Sequence, residues 1–147
     1  MSINTCSGAI SLSREIENQA AKFYQDLSQR FEKEKDLFLA FSTENGKFVK
    51  QIERAYYGVI TDAIEGCFAF NLNPEEFQFD SNLPANMSYS DAVGAALNIE
   101  EKVLKFYDVA AEQSQHLMAD VPRSFRLVAK KRSERIPKLK SLLEQAK

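Results

Sequence analysis

Two stretches of this chain repeat one another at a fixed distance, and that repetition limits the fold more than any other feature. Ala9-Ile10, Ile16-Glu17 and Lys22-Phe23-Tyr24 return as Ala92-Val93, Ile99-Glu100 and Lys105-Phe106-Tyr107, each 83 residues later. Self-similarity of this kind marks one structural unit used twice. After each stretch comes a polar segment and then a second helical pattern, opened by Phe38 in one case and Phe125 in the other. The chain therefore reads as two helical hairpins joined by a long connection. Its 147 residues suit one domain over 1–147 with one core. Only five Gly and four Pro punctuate it, which favours long helices over short strands with tight turns.

Capping and breaker residues place the boundaries. The first helix is expected over 7–31 and the second over 35–65. The third starts near Ser88, where Ser88 and Asp91 have capping-box spacing, and ends near His116. The fourth opens with Asp120 as cap and Pro122 in its first turn, and runs to the C-terminus. Pro137 should kink it, since its ring removes a hydrogen bond and crowds the carbonyl of Ser133. Between the second and third helices, 66–87 holds the breakers Asn73-Pro74 and Leu83-Pro84. A connection of this length needs a role in a compact domain. Phe68, Phe70, Phe77 and Phe79 suggest one: it crosses the bundle from end to end and packs apolar side chains on the way.

Advancing about 100° per residue shows which side chains share a face. Glu17 stands mid-stripe among Ile10, Ala20, Tyr24 and Leu27, and Glu100 among Val93, Ala96, Val103 and Tyr107. Asn45 holds the same position between Phe38, Phe41, Val49 and Ile52, and Arg132 between Phe125, Val128, Ile136 and Leu139. Phe48 and Arg135 follow one turn on, at the edge of their stripes. Each helix thus aims one polar residue at the core. A buried carboxylate without a partner costs several kcal/mol, so two at one level require a cation. Arg132 supplies it, with Arg135 close by, because a guanidinium stays charged when buried and bonds carboxylates through two N–H groups. The expected arrangement is a Glu17–Arg132–Glu100 cluster, with Asn45 and Tyr24 or Tyr107 bonded into it.

Ile16-Glu17-x-x-Ala20-x-x-Phe23-Tyr24 and Ala96-x-x-Ile99-Glu100-x-x-Val103-x-x-Phe106-Tyr107, each followed by a Phe-led helix, resemble the rubrerythrin branch of the ferritin-like superfamily. The resemblance covers nearly the whole chain apart from the connection and the C-terminal end. It implies an all-α, ferritin-like four-helix bundle with one long crossover. Such bundles hold two irons between a Glu from each of two helices and a Glu-x-x-His pair from each of the others. The resemblance further implies peroxide reduction or iron oxidation as the family activity, and a homodimer.

Carried over residue by residue, Glu17 and Glu100 take the single-Glu positions, with Tyr24 and Tyr107 beside them. The two Glu-x-x-His pairs fall on Asn45 and Phe48 and on Arg132 and Arg135. Four of six ligands are therefore replaced, two of them by permanent cations that cannot bind a metal. The one histidine, His116, lies 16 residues past Glu100, roughly 24 Å along a helix, out of reach of that layer. Glu44 can turn inward from its stripe edge, so Glu17, Glu44 and Glu100 make an alternative all-oxygen site for iron or manganese.

These readings favour a non-catalytic binding or regulatory module without a cofactor over an enzyme. The competing reading is a metal-dependent oxidoreductase acting on peroxide or iron through that carboxylate site. Which small molecule or protein it binds is not written in the sequence; the crossover aromatics are the candidate surface. A net charge of −2 argues against nucleic acid, and Lys130-Lys131-Arg132 is too short a basic run to reverse that. Cys6 and Cys67 share no metal-ligand spacing and read as two thiols, buried or at the surface. With no leader-like start and no apolar run of about 20 residues, the expected compartment is the cytoplasm and no membrane is expected.

Overall fold

The structure, a computed structural model, describes residues 2–59, 70–116 and 120–146. Its elements are α1 (Cys6–Arg30), α2 (Lys35–Val59), a 3-10 turn (Pro74–Phe77), α3 (Tyr89–Gln113), α4 (Asp120–Ser133) and α5 (Arg135–Ala146). Among the described residues there is no strand, only an isolated antiparallel bridge between Ile3 and Leu72. No described helix is long and apolar enough to cross a membrane. The described residues form an all-helical bundle of four helical rods, the fourth made of α4 and α5.

Local chemistry sets each end. The Thr5 hydroxyl accepts from Gly8 N at 3.1 Å and starts α1. Ser88 accepts from Asp91 N at the same distance and starts α3, as the capping-box spacing indicates. The turn between α1 and α2 passes through Glu34 at φ 60, a left-handed conformation that costs a non-glycine residue about 1 kcal/mol. Because that turn is short, α1 and α2 lie antiparallel and pack along their lengths. Helix α3 packs on both α4 and α5, and α2 on α4 closes the bundle. The stretch 60–65, expected to prolong the second helix, lies outside the described residues.

The fourth rod departs from expectation. Pro137 does not kink one continuous helix. The helix stops at Ser133, Glu134 makes a turn with its N–H 3.3 Å from Lys131 O, and a new helix begins at Arg135. Pro137 then falls in the first turn of α5, where a missing N–H leaves no intrahelical bond unmade.

The crossover runs from one end of α1 to the other. Leu72 exchanges two backbone hydrogen bonds with Ile3, 2.7 and 2.9 Å, beside the start of α1. Eleven residues later the carbonyls of Leu83 and Pro84 accept from the guanidinium of Arg30, at its far end. Between them Phe77 packs edge-on against Phe106 with ring centroids 5.4 Å apart, while Phe70 sits 6.4 Å from Phe125. Phe70 and Phe77 are thus buried and Phe79 is half-buried, so these rings serve the core and do not form the outer surface foreseen for them. Phe68 and Cys67 lie outside the described residues. The strap also explains why Phe106, off the predicted stripe, is fully buried: α3 has a second covered side.

Candidate functional site

At mid-height, the apolar stripes give way to five buried polar side chains: Glu17, Asn45, Glu100, Arg132 and Arg135, none more than 1% exposed. They come from α1, α2, α3, α4 and α5 in that order. Arg132 lies at the centre. Its Nε donates to Glu17 Oε2 at 3.0 Å, and its Nη2 donates to Glu17 Oε1, a two-pronged contact. Nη2 also reaches Asn45 Oδ1 at 3.0 Å, and Nη1 reaches Glu100 Oε1 at 2.5 Å. One guanidinium therefore joins three other helices.

Arg135 approaches Glu100 from the next turn, with Nη1 at 3.2 Å from Oε2. Its remaining donors go to the Phe41 carbonyl at 3.0 Å and to Glu44 Oε1 at 2.8 Å. Both guanidiniums lie 5.5 Å from the centre of the Phe48 ring, and Arg135 lies 4.4 Å from that of Phe41. An aromatic face attracts a cation most strongly where water is excluded. Phe48 is therefore the floor on which the two cations rest.

The tyrosines close the layer in a reciprocal way. Tyr24 of α1 donates to Glu100 Oε2 of α3 at 2.6 Å, and Tyr107 of α3 donates to Glu17 Oε2 of α1 at 2.5 Å. Helices α1 and α3 each have 25 residues, and their limits differ by the same 83 positions that separate Glu17 from Glu100 and Tyr24 from Tyr107. Sequence reasoning missed Ser13, whose hydroxyl lies 3.0 Å from that of Tyr107. Its signal was present: Ser13 precedes Glu17 by one turn and shares its stripe.

Charges balance across this layer, two carboxylates against two guanidiniums. Burial alone would push the Glu100 carboxyl up, but Arg132 and Arg135 outweigh it and, with the hydrogen bonds from Tyr24 and Arg132, leave it below the ordinary carboxylate value. Burial and the adjacent Glu100 push the Tyr24 hydroxyl well above its usual value, and burial and Glu17 do the same for Tyr107. Burial opposes the charge on Arg132, yet Glu100 and Glu17 hold its proton more tightly than in water.

This donor set does not fit a di-iron centre. All four carboxylate oxygens of Glu17 and Glu100 already accept an N–H or O–H, and the groups at the other positions to which the resemblance assigns ligands are an amide, a phenyl ring and two guanidiniums. Nor do Glu17, Glu44 and Glu100 gather as the alternative required. Arg135 stands between Glu44 and Glu100 and bonds to both, and no three of His, Cys, Asp and Glu among the described residues stand close enough to share an ion. Arg135 follows Arg132 by three residues and is buried with it, its guanidinium bonded to Glu100 and Glu44. His116 is exposed beyond the end of α3, away from all of this. Asn45 Nδ2 is the one polar atom of the layer with no acceptor among the described residues; its amide orientation follows from Arg132, which needs Oδ1.

No protein-family model, curated protein or solved structure matches this chain.

Proposed function

We propose that this chain is a ferritin-like bundle of the rubrerythrin kind, in which arginines have replaced the di-iron centre, and that it acts without catalysis as a binding or regulatory module. The observation that carries this reading is Arg132: it stands at a ligand position of the fourth helix and bonds to Glu17 and Glu100, the two carboxylates that the resemblance assigns to metal. The 83-residue spacing of two equal helices and the reciprocal Tyr–Glu bonds support descent from a duplicated hairpin. The resemblance also brings a homodimer with it. A permanently charged guanidinium at the centre repels a metal ion, and closed hydrogen-bonding of the carboxylates leaves none of their oxygens without a donor.

The test is elemental analysis for iron, manganese and zinc on tag-free protein produced in metal-supplemented medium, with light scattering for the oligomeric state. Well under one metal ion per chain is the expected result. One or two tightly held ions per chain would overturn the proposal, and peroxide turnover would then be the activity to assay.

A further inference from the structure

A groove of about 540 Å³ opens on the outer side of the layer, between α2 and the fourth rod. It is lined by the buried rings of Phe41 and Phe48 and by Leu37 and Glu44. Lys47, Lys131 and Lys138 stand around it. The last two lie on either side of the Glu134 turn, on α4 and α5, and both line the same opening. Among the described residues none of these three lysines has an ion-pair partner; Glu44, bonded to Arg135 at 2.8 Å, offsets one of their charges and leaves an excess of about two. The groove thus carries an uncompensated positive charge in a chain whose net charge is −2.

We infer that this groove is a binding site for a small organic anion, with its acidic group directed to the lysines and Arg135 and its apolar part against Leu37 and the rings beneath. The inference rests on the reading of the chain as a binding module and names the site and the ligand chemistry. Charge complementarity selects the occupant, and the volume falls within the range of pockets for small molecules, about 300–1,000 Å³. Glu44 occupies the acidic subsite until the ligand arrives. Its side chain is 38% exposed while Arg135 beneath it is 1% exposed, so an entering carboxylate or phosphate reaches that guanidinium by displacing Glu44. The exchange replaces one charge-assisted contact by another and leaves the buried layer balanced.

The probe is 8-anilinonaphthalene-1-sulfonate, an anion with an aromatic body, titrated into the full chain while near-ultraviolet circular dichroism checks that the fold is retained. Saturable binding of one probe per chain is expected, weakened about tenfold or more by Lys131→Glu with Lys138→Glu, two exposed positions. Glu44→Gln should tighten it roughly threefold, since a neutral amide competes less for Arg135. Pyrophosphate and decanoate as competitors separate a phosphate from a carboxylate preference; displacement by either supports the site, and by neither overturns it. Equal binding of the neutral N-phenyl-1-naphthylamine, or binding that ignores the lysine reversals, would also overturn it. A dimer that dissociates on those reversals, without probe binding, would instead make the groove a contact between copies. Metal content plays no part in these outcomes, so this inference and the metal-free reading fail separately.

Discussion

The two hairpins look alike in outline and differ in the charge they bring to the centre. The first, α1 with α2, contributes Glu17, Asn45 and Phe48, hence one buried negative charge and no cation. The second, α3 with α4 and α5, contributes Glu100, Arg132 and Arg135, hence one net positive charge. Neither half balances by itself; together they do. Two copies of the first hairpin would bury two carboxylates with nothing to meet them, and two of the second would bury four guanidiniums against two carboxylates. We hypothesise that the difference specifies how the halves pair, a role that buried charges fill in some proteins while adding little net stability. A hairpin-one fragment that forms a stable, uniquely folded dimer would contradict it.

Removing the central cation breaks the comparison most sharply. Arg132→Leu should cost about 3–5 kcal/mol in urea denaturation, because it orphans buried charge, and a loss under about 1 kcal/mol would show that the charge balance does not matter. Coupling it to Glu17→Gln removes one charge from each hairpin, so the double variant should be more stable than Arg132→Leu alone. Next come the tyrosines. Each to Phe loses a hydrogen bond to a carboxylate, worth about 1.5–3 kcal/mol, and Tyr107→Phe should be the costlier because it also strands the Ser13 hydroxyl. Equal losses would show the two halves to be energetically equivalent at this point.

Acid and base probe the layer without mutation. The lowered Glu100 value means that its contribution is full above the unfolded carboxyl value, about 4.3, and is lost as pH falls through the folded one. The raised tyrosine values work in the opposite direction: their contribution is full below about 10 and is lost as pH rises from there towards the folded values. Denaturation midpoints across pH should therefore fall on both flanks, and Tyr24→Phe should flatten the alkaline one. The smallest effect lies outside the layer. At Gly8 a Cβ would sit 2.7 Å from Ile3 Cγ2, so Gly8→Ala should cost about 1 kcal/mol and speed amide exchange at Leu72, with the centre unchanged.

Much of this was legible because helical periodicity carries it. The stripes on α1 and α3 place Glu17, Tyr24, Glu100 and Tyr107 inward, and α1 and α3 begin and end within a few residues of their predicted limits. The argument from buried charge selects Arg132 as their partner. What escaped was whatever depends on side-chain reach or on a neighbour far away in sequence. Phe48 registers in the sequence only as a missing ligand, since nothing local says that two guanidiniums will lie against its ring. Glu44 reads as a spare carboxylate until Arg135, 91 residues away, is seen to claim it. Periodicity likewise gives one buried face per helix and cannot foresee the second face that the strap adds to α3. Pro137 was read for what it prevents; the local turn at Glu134 decides that it starts a helix.

Arg132 has a consequence for how the chain folds. Its partners belong to three different helices and are separated from it by 115, 87 and 32 residues in sequence, and none of them alone offsets its desolvation. A lone hairpin leaves part of this layer unsatisfied, and three helices without the fourth leave Glu17 and Glu100 without their cation, so neither gains much from docking early. The guanidinium therefore works as a counter that registers only the full set, which sharpens the transition towards all-or-none behaviour and keeps partly assembled bundles sparsely populated.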